Sequence, residues 1–272
     1  MDNRPIGVFD SGLGGLTTVR RLMQVLPNED IIYLGDTGRV PYGSRSRDTI
    51  IRYAMQDAAF LRQFDVKALV IACGTVSTTS MEALRSGNGE LPIYGVVDAT
   101  VQAAAAATKN GKIGAIGTVA TIKSSAYEKG LQRILPGVQY RGKACPLFVP
   151  LVENGRTEPG DIVIETVAAE YLEEFRQWGA DTLILGCTHY PLLDRVIGNY
   201  MGSGVALIDA GAATAEYVAG ELARMDRLSG KHAAPAYRYY VTDSTENFTA
   251  LASLFLKTDH LGPVSQVSLE SY

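Results

Sequence analysis

Two short segments of this chain share one pattern, an aliphatic run of strand length followed by cysteine and small polar residues. The first reads ALVIACGTVS from residue 68, and the second reads TLILGCTHYP from residue 182. Runs that are apolar at consecutive positions are typical of strands buried on both faces of a parallel sheet. The pattern therefore predicts an α/β fold with Cys73 and Cys187 at the ends of two strands.

Strand-length and helix-length patterns alternate along the rest of the chain. Apolar runs that predict strands occupy residues 6–9, 31–34, 68–72, 93–97, 113–116, 183–185 and 205–208. Helical spacing of apolar residues covers residues 16–26, 49–64, 163–178 and 215–225. This alternation indicates three α/β/α layers built on mainly parallel sheets.

Segments of the first half of the chain also resemble segments of the second half. IGVF at residue 6 matches IGAI at residue 113, VDA at residue 97 matches IDA at residue 208, and Cys73 matches Cys187, all at nearly one spacing. Three landmarks in the same order indicate two related halves. Open α/β sheets bind ligands beyond the carboxyl ends of their strands. Two facing halves would therefore bring both thiols to a single cleft.

Charge and cysteine content exclude several classes of protein. Lys and Arg number 25 against 29 Asp and Glu, a net charge of −4 that does not fit a polybasic nucleic-acid binder. No apolar run approaches the length that spans a bilayer, and no secretion signal is recognisable. Three cysteines make an odd, low number that argues against a disulfide framework. We therefore expect a cytoplasmic protein that contacts neither nucleic acid nor membrane.

The first predicted strand ends in a glycine-rich turn that reads DSGLGG from residue 10. A dinucleotide fingerprint would need glycine where Thr17 stands, and Asp10 would repel a pyrophosphate. A small anion held by free N–H groups, with Ser11 as a donor, is one interpretation, and an ordinary β–α turn is the other. The loop GDTGRVPYGS from residue 35 could likewise hold a carboxylate or simply connect two elements.

The thiols are the groups with the clearest chemistry. Cys73 lies where a helix is predicted to begin, a position that lowers a thiol pKa from its usual value of roughly 8.5. His189 lies two residues after Cys187 and can orient that thiol or exchange a proton with it. Zinc bound by Cys73, Cys187 and His189 is the alternative, although the sequence contains no C-x-x-C pair and only three histidines. Cys145 has no polar successor, so we expect it to be structural.

Taken together and in this order, the motifs resemble those of the bacterial glutamate racemase family, over roughly residues 5 to 256. The resemblance implies a cofactor-independent enzyme that supplies D-glutamate for peptidoglycan. It implies two pseudo-symmetric domains with the active site in the cleft between them. Residues 1–97 with 210–272 would form the first domain, which carries Cys73, and residues 98–209 the second, which carries Cys187. A homodimer is also implied.

The same resemblance implies roles for individual residues. Cys73 and Cys187 would be the catalytic acid and base on opposite faces of the substrate Cα. Asp10 would support Cys73, and His189 and Glu153 would support Cys187. Substrate, which is glutamate in this interpretation, would be bound partly through backbone N–H groups by Asp10, Ser11, Tyr42, Gly43, Gly74, Thr75, Thr118, Thr121, Thr188 and His189. Neither a metal nor a cofactor would be required.

One position departs from the family pattern. Family members usually have Asn after the first catalytic cysteine, whereas this chain has Gly74. The lost amide would remove a hydrogen bond to a charged substrate, worth roughly 1.5–3 kcal/mol. We therefore expect Gly74→Asn to preserve the fold and lower KM. Two alternatives remain for the function: a racemase of aspartate or a related amino acid, and a non-catalytic α/β protein that binds a small anion.

Overall fold

The computed structural model describes residues 1–258 and 261–272, and strands within these residues form two sheets. The strands are β1 (Ile6–Asp10), β2 (Ile31–Gly35), β3 (Ala68–Ile71), β4 (Ile93–Gly95), β5 (Lys112–Gly117), β6 (Gln139–Ala144), β7 (Thr182–Leu185), β8 (Ala206–Asp209), β9 (Tyr237–Val241) and β10 (Val264–Gln266). The larger sheet has the order β10-β9-β2-β1-β3-β4, and the smaller sheet has the order β6-β5-β7-β8. Each neighbouring pair is parallel.

Helices connect the strands and cover the sheets. They are α1 (Leu16–Val25), α2 (Arg47–Arg62), α3 (Gly74–Thr79), α4 (Met81–Gly87), α5 (Val96–Ala107), α6 (Val119–Lys123), α7 (Ala126–Ile134), α8 (Phe148–Glu153), α9 (Ile162–Trp178), α10 (Asp194–Met201), α11 (Ala210–Arg224) and α12 (Thr245–Leu256). Short 3-10 turns cover Thr37–Arg39, Tyr42–Ser44 and Tyr190–Leu193. Side-chain oxygens of Ser46, Asp161 and Asp209 accept N–H groups at the starts of α2, α9 and α11, which fixes where these helices begin.

The internal resemblance in the sequence corresponds to a repeat in the topology. Strands β1 to β4 are arranged as β2-β1-β3-β4, and strands β5 to β8 repeat that arrangement as β6-β5-β7-β8. Cys73 follows the third strand of the first set, and Cys187 follows the third strand of the second set. The two thiols therefore occupy equivalent places in the two sheets.

Successive buried side chains along a strand pack on opposite faces of the sheet. Val8 belongs to a cluster of buried side chains that extends to Leu183 on the smaller sheet, whereas its neighbour Phe9 packs into a second cluster on the other face. Ile184 packs into a third cluster, on the opposite face from Leu183. Each sheet is thus buried on both sides by helices, which confirms the predicted α/β/α layers. Of the residues described, none belongs to a helix long and apolar enough to cross a bilayer.

Each of the seven predicted strands is present, with small shifts of bounds. The largest shift is at β4, because Val96 and Val97 already belong to α5. Strands β6, β9 and β10 carry no continuous apolar run, and β6 alternates exposed and half-buried residues at the edge of its sheet. The prediction relied on continuous burial, so it missed these three strands.

Candidate active site

A cavity of about 440 Å³ opens between the carboxyl ends of the two sheets, and both thiols line it. This volume is within the range of small-molecule sites. Its lining comes from loops of both sheets and comprises Ser11, Gly12, Val40, Pro41, Tyr42, Gly43, Ser44, Cys73, Gly74, Thr75, Thr118, Val119, Pro146, Val149, Pro150, Glu153, Gly186, Cys187, Thr188, His189 and Tyr190. None of the described residues in this lining is Lys or Arg. A ligand carboxylate would therefore be met mainly by hydroxyl and backbone N–H donors.

Cys73 precedes the first turn of α3 and points its sulfur to the hydroxyl of Ser11, at 3.3 Å. Burial, together with the negative charge of Asp10, raises the pKa of the Cys73 thiol to about 12. The expectation of a lowered pKa at a helix start was wrong. Backbone N–H groups do favour the thiolate, but a six-residue helix does not offset burial next to a carboxylate.

Asp10 ends β1 directly behind Cys73 and is 1% exposed. Its Oδ2 accepts hydrogen bonds from the backbone N–H groups of Gly12 and Gly15, at 3.2 and 3.0 Å. Gly15 must lack a side chain, because a Cβ there would lie 2.5 Å from the Cβ of Asp10. The turn after β1 therefore directs these two N–H groups to its own aspartate. Burial raises the pKa of Asp10, and the residue does not itself line the cavity.

Cys187 has a different set of neighbours. Its sulfur lies 3.9 Å from Nδ1 of His189, and Nε2 of His189 lies 2.9 Å from Oε1 of Glu153. Burial alone would lower the pKa of His189, but the contacts with Cys187 and Glu153 outweigh it and raise that pKa to about 10. The imidazole is therefore protonated at neutral pH and lies between a sulfur and a carboxylate. All three residues line the cavity.

Threonine hydroxyls join the two halves of the cavity wall. Oγ1 of Thr75, after β3, lies 2.9 Å from Oγ1 of Thr118, after β5, which in turn lies 3.0 Å from Oγ1 of Thr121. Thr121 is 1% exposed and sits behind the lining rather than in it. On the other side of the cavity, Thr17 donates to the carbonyl of Thr188 at 3.0 Å. Hydroxyl contacts thus join Thr75, Thr118 and Thr121, whereas Thr188 is held by Thr17.

Tyr42 and Gly43 line the cavity from the loop that follows β2. The Tyr42 hydroxyl, however, donates to the carboxylates of Asp36 and Asp57, the latter at 3.2 Å. Arg39 bridges the same two carboxylates, at 2.6 and 2.9 Å. Sequence reasoning missed this buried network, since Asp57 lies within α2 with no local signal. The hydroxyl of Tyr42 is therefore committed to holding the loop.

An apolar wall completes the cavity and was also missed. It includes Val40 and Pro41 from the first half and Val119, Val149 and Pro150 from the second. Pro41 stands in a loop that was considered for binding, but the start of α8, which carries Val149 and Pro150, offered no motif. Cys145, expected to be structural, is fully buried outside the lining, and its carbonyl accepts the hydroxyl of Tyr190 at 2.8 Å.

Gly74 lies closer to the second half than the sequence suggested. A Cβ added at this position would lie 2.4 Å from the carbonyl oxygen of Gly186, a backbone atom. Gly74→Asn would therefore require the segments of Gly74 and Gly186 to shift apart, and its effects on the fold and on KM stay predictions. Within residues 1–258 and 261–272, no group of three or more His, Cys, Asp or Glu side chains is arranged to hold a metal.

The family model described as Asp/Glu/Hydantoin racemase matches residues 13–218, most of the chain. The chain therefore belongs to the Asp/Glu/Hydantoin racemase family.

Within this family, three similar proteins are glutamate racemases. The glutamate racemase of Geobacter metallireducens is 46% identical, over 98% of each chain. The crystal structure of glutamate racemase from Francisella tularensis in complex with D-glutamate superposes with a TM-score of 0.92, at 40% identity and 100% coverage of both chains. That of isoform RacE1 from Bacillus anthracis gives 0.93, at 36% identity and 99% coverage of both chains.

Proposed function

We propose that this chain is a glutamate racemase, which interconverts L-glutamate and D-glutamate without a cofactor. The observation that carries the proposal is the pair of cysteines, which come from equivalent strands of two sheets and line one cavity. The names and high identity of the relatives favour glutamate over aspartate. A non-catalytic anion-binding protein would have no need for two such thiols.

The reaction inverts the configuration at Cα in two proton transfers. One cysteine, as thiolate, takes the Cα proton, so the Cα–H bond breaks and an S–H bond forms. The other cysteine, as thiol, gives its proton to the opposite face, so a new Cα–H bond forms and a thiolate is left. The roles exchange in the reverse direction. The carbanion charge spreads into the substrate carboxylate, where preorganised donors stabilise it.

Each thiol has its own supporting group in this mechanism. The carboxylate of Asp10 lies behind Cys73 and favours the protonated form of that thiol. The imidazolium of His189, held by Glu153, lies beside the sulfur of Cys187, orients it and can give a proton to its thiolate form. Asp10, His189 and Glu153 therefore act as positioning and charge-setting groups for the two thiols.

Substrate carboxylates are bound mainly by neutral donors, and the imidazolium of His189 is the cationic exception. Hydroxyls of Ser11, Thr75, Thr118 and Thr188 line the cavity, and Tyr42, Gly43 and Gly74 contribute through their backbone, while Asp10 and Thr121 support the lining from behind. A neutral set suits this reaction, since the same donors must serve both enantiomers and stabilise the charge that develops between them.

Three wider features belong to the same proposal. Residues 1–97 with 210–272 form one domain, which agrees with the place of β9 and β10 in the larger sheet, and residues 98–209 form the other. All three cysteines are free, which fits a reducing cytoplasm. The enzyme acts as a homodimer and supplies D-glutamate for peptidoglycan.

The test is to incubate purified protein with L-glutamate in D₂O without added cofactor, and to follow circular dichroism and deuterium at Cα. We expect the ellipticity to decay to zero while deuterium enters the product. L-aspartate, run in parallel, should remain optically active. Decay with aspartate alone would favour the related racemase. No decay and no exchange with either amino acid would favour the anion-binding protein and refute the proposal.

A further inference from the structure

The turn that follows Cys187 lacks one hydrogen bond of its regular pattern. A 3-10 turn covers Tyr190–Leu193, and in such turns a carbonyl accepts the N–H of the residue three positions later. The N–H of Tyr190 donates to the carbonyl of Cys187 at 3.0 Å. The N–H of Leu192 donates to the carbonyl of His189 at 3.1 Å. Residue 191, between these two donors, is proline and has no N–H. The carbonyl three positions before it therefore needs a donor from outside the turn.

That carbonyl belongs to Thr188, and its donor comes from the first half of the molecule. Oγ1 of Thr17, a buried residue in the first turn of α1, donates to it at 3.0 Å. The same hydroxyl lies 2.9 Å from the carbonyl of Gly14, but that carbonyl already accepts the N–H of Thr17 at 3.0 Å. The hydroxyl of Thr17 is therefore dispensable to its own helix and fills the gap in the turn of the other half.

The first half packs closely against the turn on both sides of this hydrogen bond. A Cβ added at Gly14 would lie 2.1 Å from Oγ1 of Thr188 and 2.6 Å from Nδ1 of His189, so no side chain fits between α1 and the turn. Phe255 of α12 packs edge-on against the imidazole of His189, with ring centres 5.4 Å apart. The turn that carries the thiol and the imidazole of the second half is thus held by helices of the first half.

We infer that Thr17 is a positioning residue for Cys187 and His189, because its hydroxyl replaces the N–H that Pro191 lacks and fixes their turn against the first half. This inference rests on the proposed function for its catalytic consequence. The substrate touches loops of both halves, so the thiol of one half reaches Cα correctly only if its turn keeps a fixed place relative to the other half.

The first test compares Thr17→Val with Thr18→Val as a matched control. Thr18 is the next residue of α1 and is equally buried, but its Oγ1 has no hydrogen-bond partner among the residues that the structure describes. Both variants exchange one hydroxyl for a methyl group, and only Thr17→Val breaks the bond to the turn.

We expect kcat for racemisation to fall about tenfold in Thr17→Val, which is the factor that one hydrogen bond is worth when it holds a reacting group. KM should change less, and Thr18→Val should keep the parent values. Thr17→Ser retains the hydroxyl and should restore most of kcat. An unchanged kcat in Thr17→Val, or a kcat in Thr17→Ser as low as in Thr17→Val, would overturn the inference.

The second test measures the turn itself, without relying on activity. Hydrogen exchange followed by mass spectrometry reports local opening of the peptide that covers residues 187–193. We expect exchange there to be about tenfold faster in Thr17→Val, and to keep the parent rate in Thr18→Val and Thr17→Ser. The peptide that covers residues 74–79, after the other thiol, is the internal reference. An unchanged rate at residues 187–193, or an equal acceleration in both peptides, would overturn the inference.

The two readouts also separate this inference from the proposed function. If the parent chain proved inactive on glutamate, the proposed function would fail, whereas hydrogen exchange would still test the hold of Thr17 on the turn. If Thr17→Val did not fold, as judged by circular dichroism, Thr17→Ala and Thr18→Ala would replace the valine pair, since alanine favours the helix more strongly. Faster exchange at residues 187–193 in Thr17→Ala alone would support the inference, and equal exchange in the two alanine variants would overturn it.

Discussion

The two thiol sites occupy equivalent places in two repeated sheets, yet their surroundings are opposite in charge. Cys73 has the buried carboxylate of Asp10 behind it, which together with burial raises the pKa of the thiol to about 12. Cys187 has the imidazole of His189, whose own pKa is raised to about 10 by Cys187 and Glu153 although burial opposes this. The first site thus favours a neutral thiol, and the second offers a positive charge next to the sulfur.

The difference shows how a repeated fold serves a reaction that is not symmetric at any instant. Inversion needs one thiolate and one thiol at the same time, on opposite sides of one carbon. The repeat places the two sulfurs, since β3 and β7 have the same position in their sheets. The charges beside the two sulfurs differ because the neighbouring side chains differ. Position comes from the backbone, and the charge beside each sulfur comes from side chains that the two halves do not share.

The largest expected effect comes from removing either thiol. Cys73→Ser and Cys187→Ser should each reduce racemisation by at least the ~10²–10⁴-fold that a general acid or base contributes. Each variant keeps one thiol, so each should still exchange the Cα proton of one enantiomer, and the two variants should prefer opposite enantiomers. Exchange in D₂O, started separately from L-glutamate and D-glutamate, measures this. If both variants preferred the same enantiomer, the two thiols would act on the same face of Cα. The assignment of one thiol to each face would then be wrong.

A smaller effect tests the charges themselves. Asp10→Asn removes the negative charge beside Cys73, which lowers the pKa of that thiol and increases its thiolate at pH 8. Each pKa unit corresponds to a factor of roughly 10, so alkylation of Cys73 by iodoacetamide should accelerate several-fold or more. His189→Asn removes a positive neighbour and should slow alkylation of Cys187. The rates are read by peptide mass spectrometry, with Cys145 as the internal reference.

The two variants serve as controls for each other, because each should change one thiol and leave the other near its parent rate. If Asp10→Asn slowed Cys73, the carboxylate would be acting through structure, and the assigned charge difference between the sites would be wrong. If both variants changed both thiols equally, the sites would be too strongly coupled to compare.

The sequence predicted where both thiols lie, but it predicted the wrong direction for the pKa shift of Cys73. Its strand run and polar successors are local features, and they located Cys73 correctly at the end of β3. The pKa depends on tertiary burial and on Asp10, which reaches Cys73 only because β1 pairs with β3. A helix start seen in isolation suggests a lowered pKa, and only the assembled fold shows that burial prevails.

Contacts between segments far apart in the chain explain the other features that the sequence did not predict. The partners of Tyr42 include Asp57, which lies in the middle of α2 and carries no signal in its own segment. The tight contact of Gly74 with Gly186 joins two segments far apart in the chain. The sequence shows that residue 74 lacks a side chain, but it does not show that the carbonyl oxygen of Gly186 occupies that space.

Buried tyrosines in the two walls extend the comparison to stability. Tyr42→Phe removes a donor from two carboxylates on the first side, and hydrogen bonds to charged groups are worth roughly 1.5–3 kcal/mol. Tyr190→Phe removes a donor from the neutral carbonyl of Cys145 on the second side, for which about 0.5–1.5 kcal/mol is typical. Urea unfolding should therefore show the larger loss for Tyr42→Phe. Equal losses of unfolding free energy in the two variants would show that the charge of the acceptor does not distinguish the two walls.

The smallest effect concerns the pH dependence of stability at the second site. The pKa of His189 is raised in the folded state to about 10, above its unfolded value of about 6.5. Its contribution to stability is therefore fully present below pH 6.5 and is lost as pH rises through about 10. Glu153→Gln removes one cause of the raised pKa, so the loss should begin at lower pH. Because Glu153 is 40% exposed, the change is roughly 0–1 kcal/mol.

Glu158→Gln is the matched control, since Glu158 pairs with Arg195 at the surface, away from His189. Unfolding free energies measured between pH 6 and 10.5 should fall with pH in the parent and in Glu158→Gln along the same curve. In Glu153→Gln the fall should come earlier, and in His189→Asn this part of the fall should be absent. If Glu153→Gln followed the parent curve, Glu153 would orient the imidazole without holding its proton. The positive charge beside Cys187 would then depend on the contact with Cys187 itself, and the two sites would differ less than their neighbours suggest.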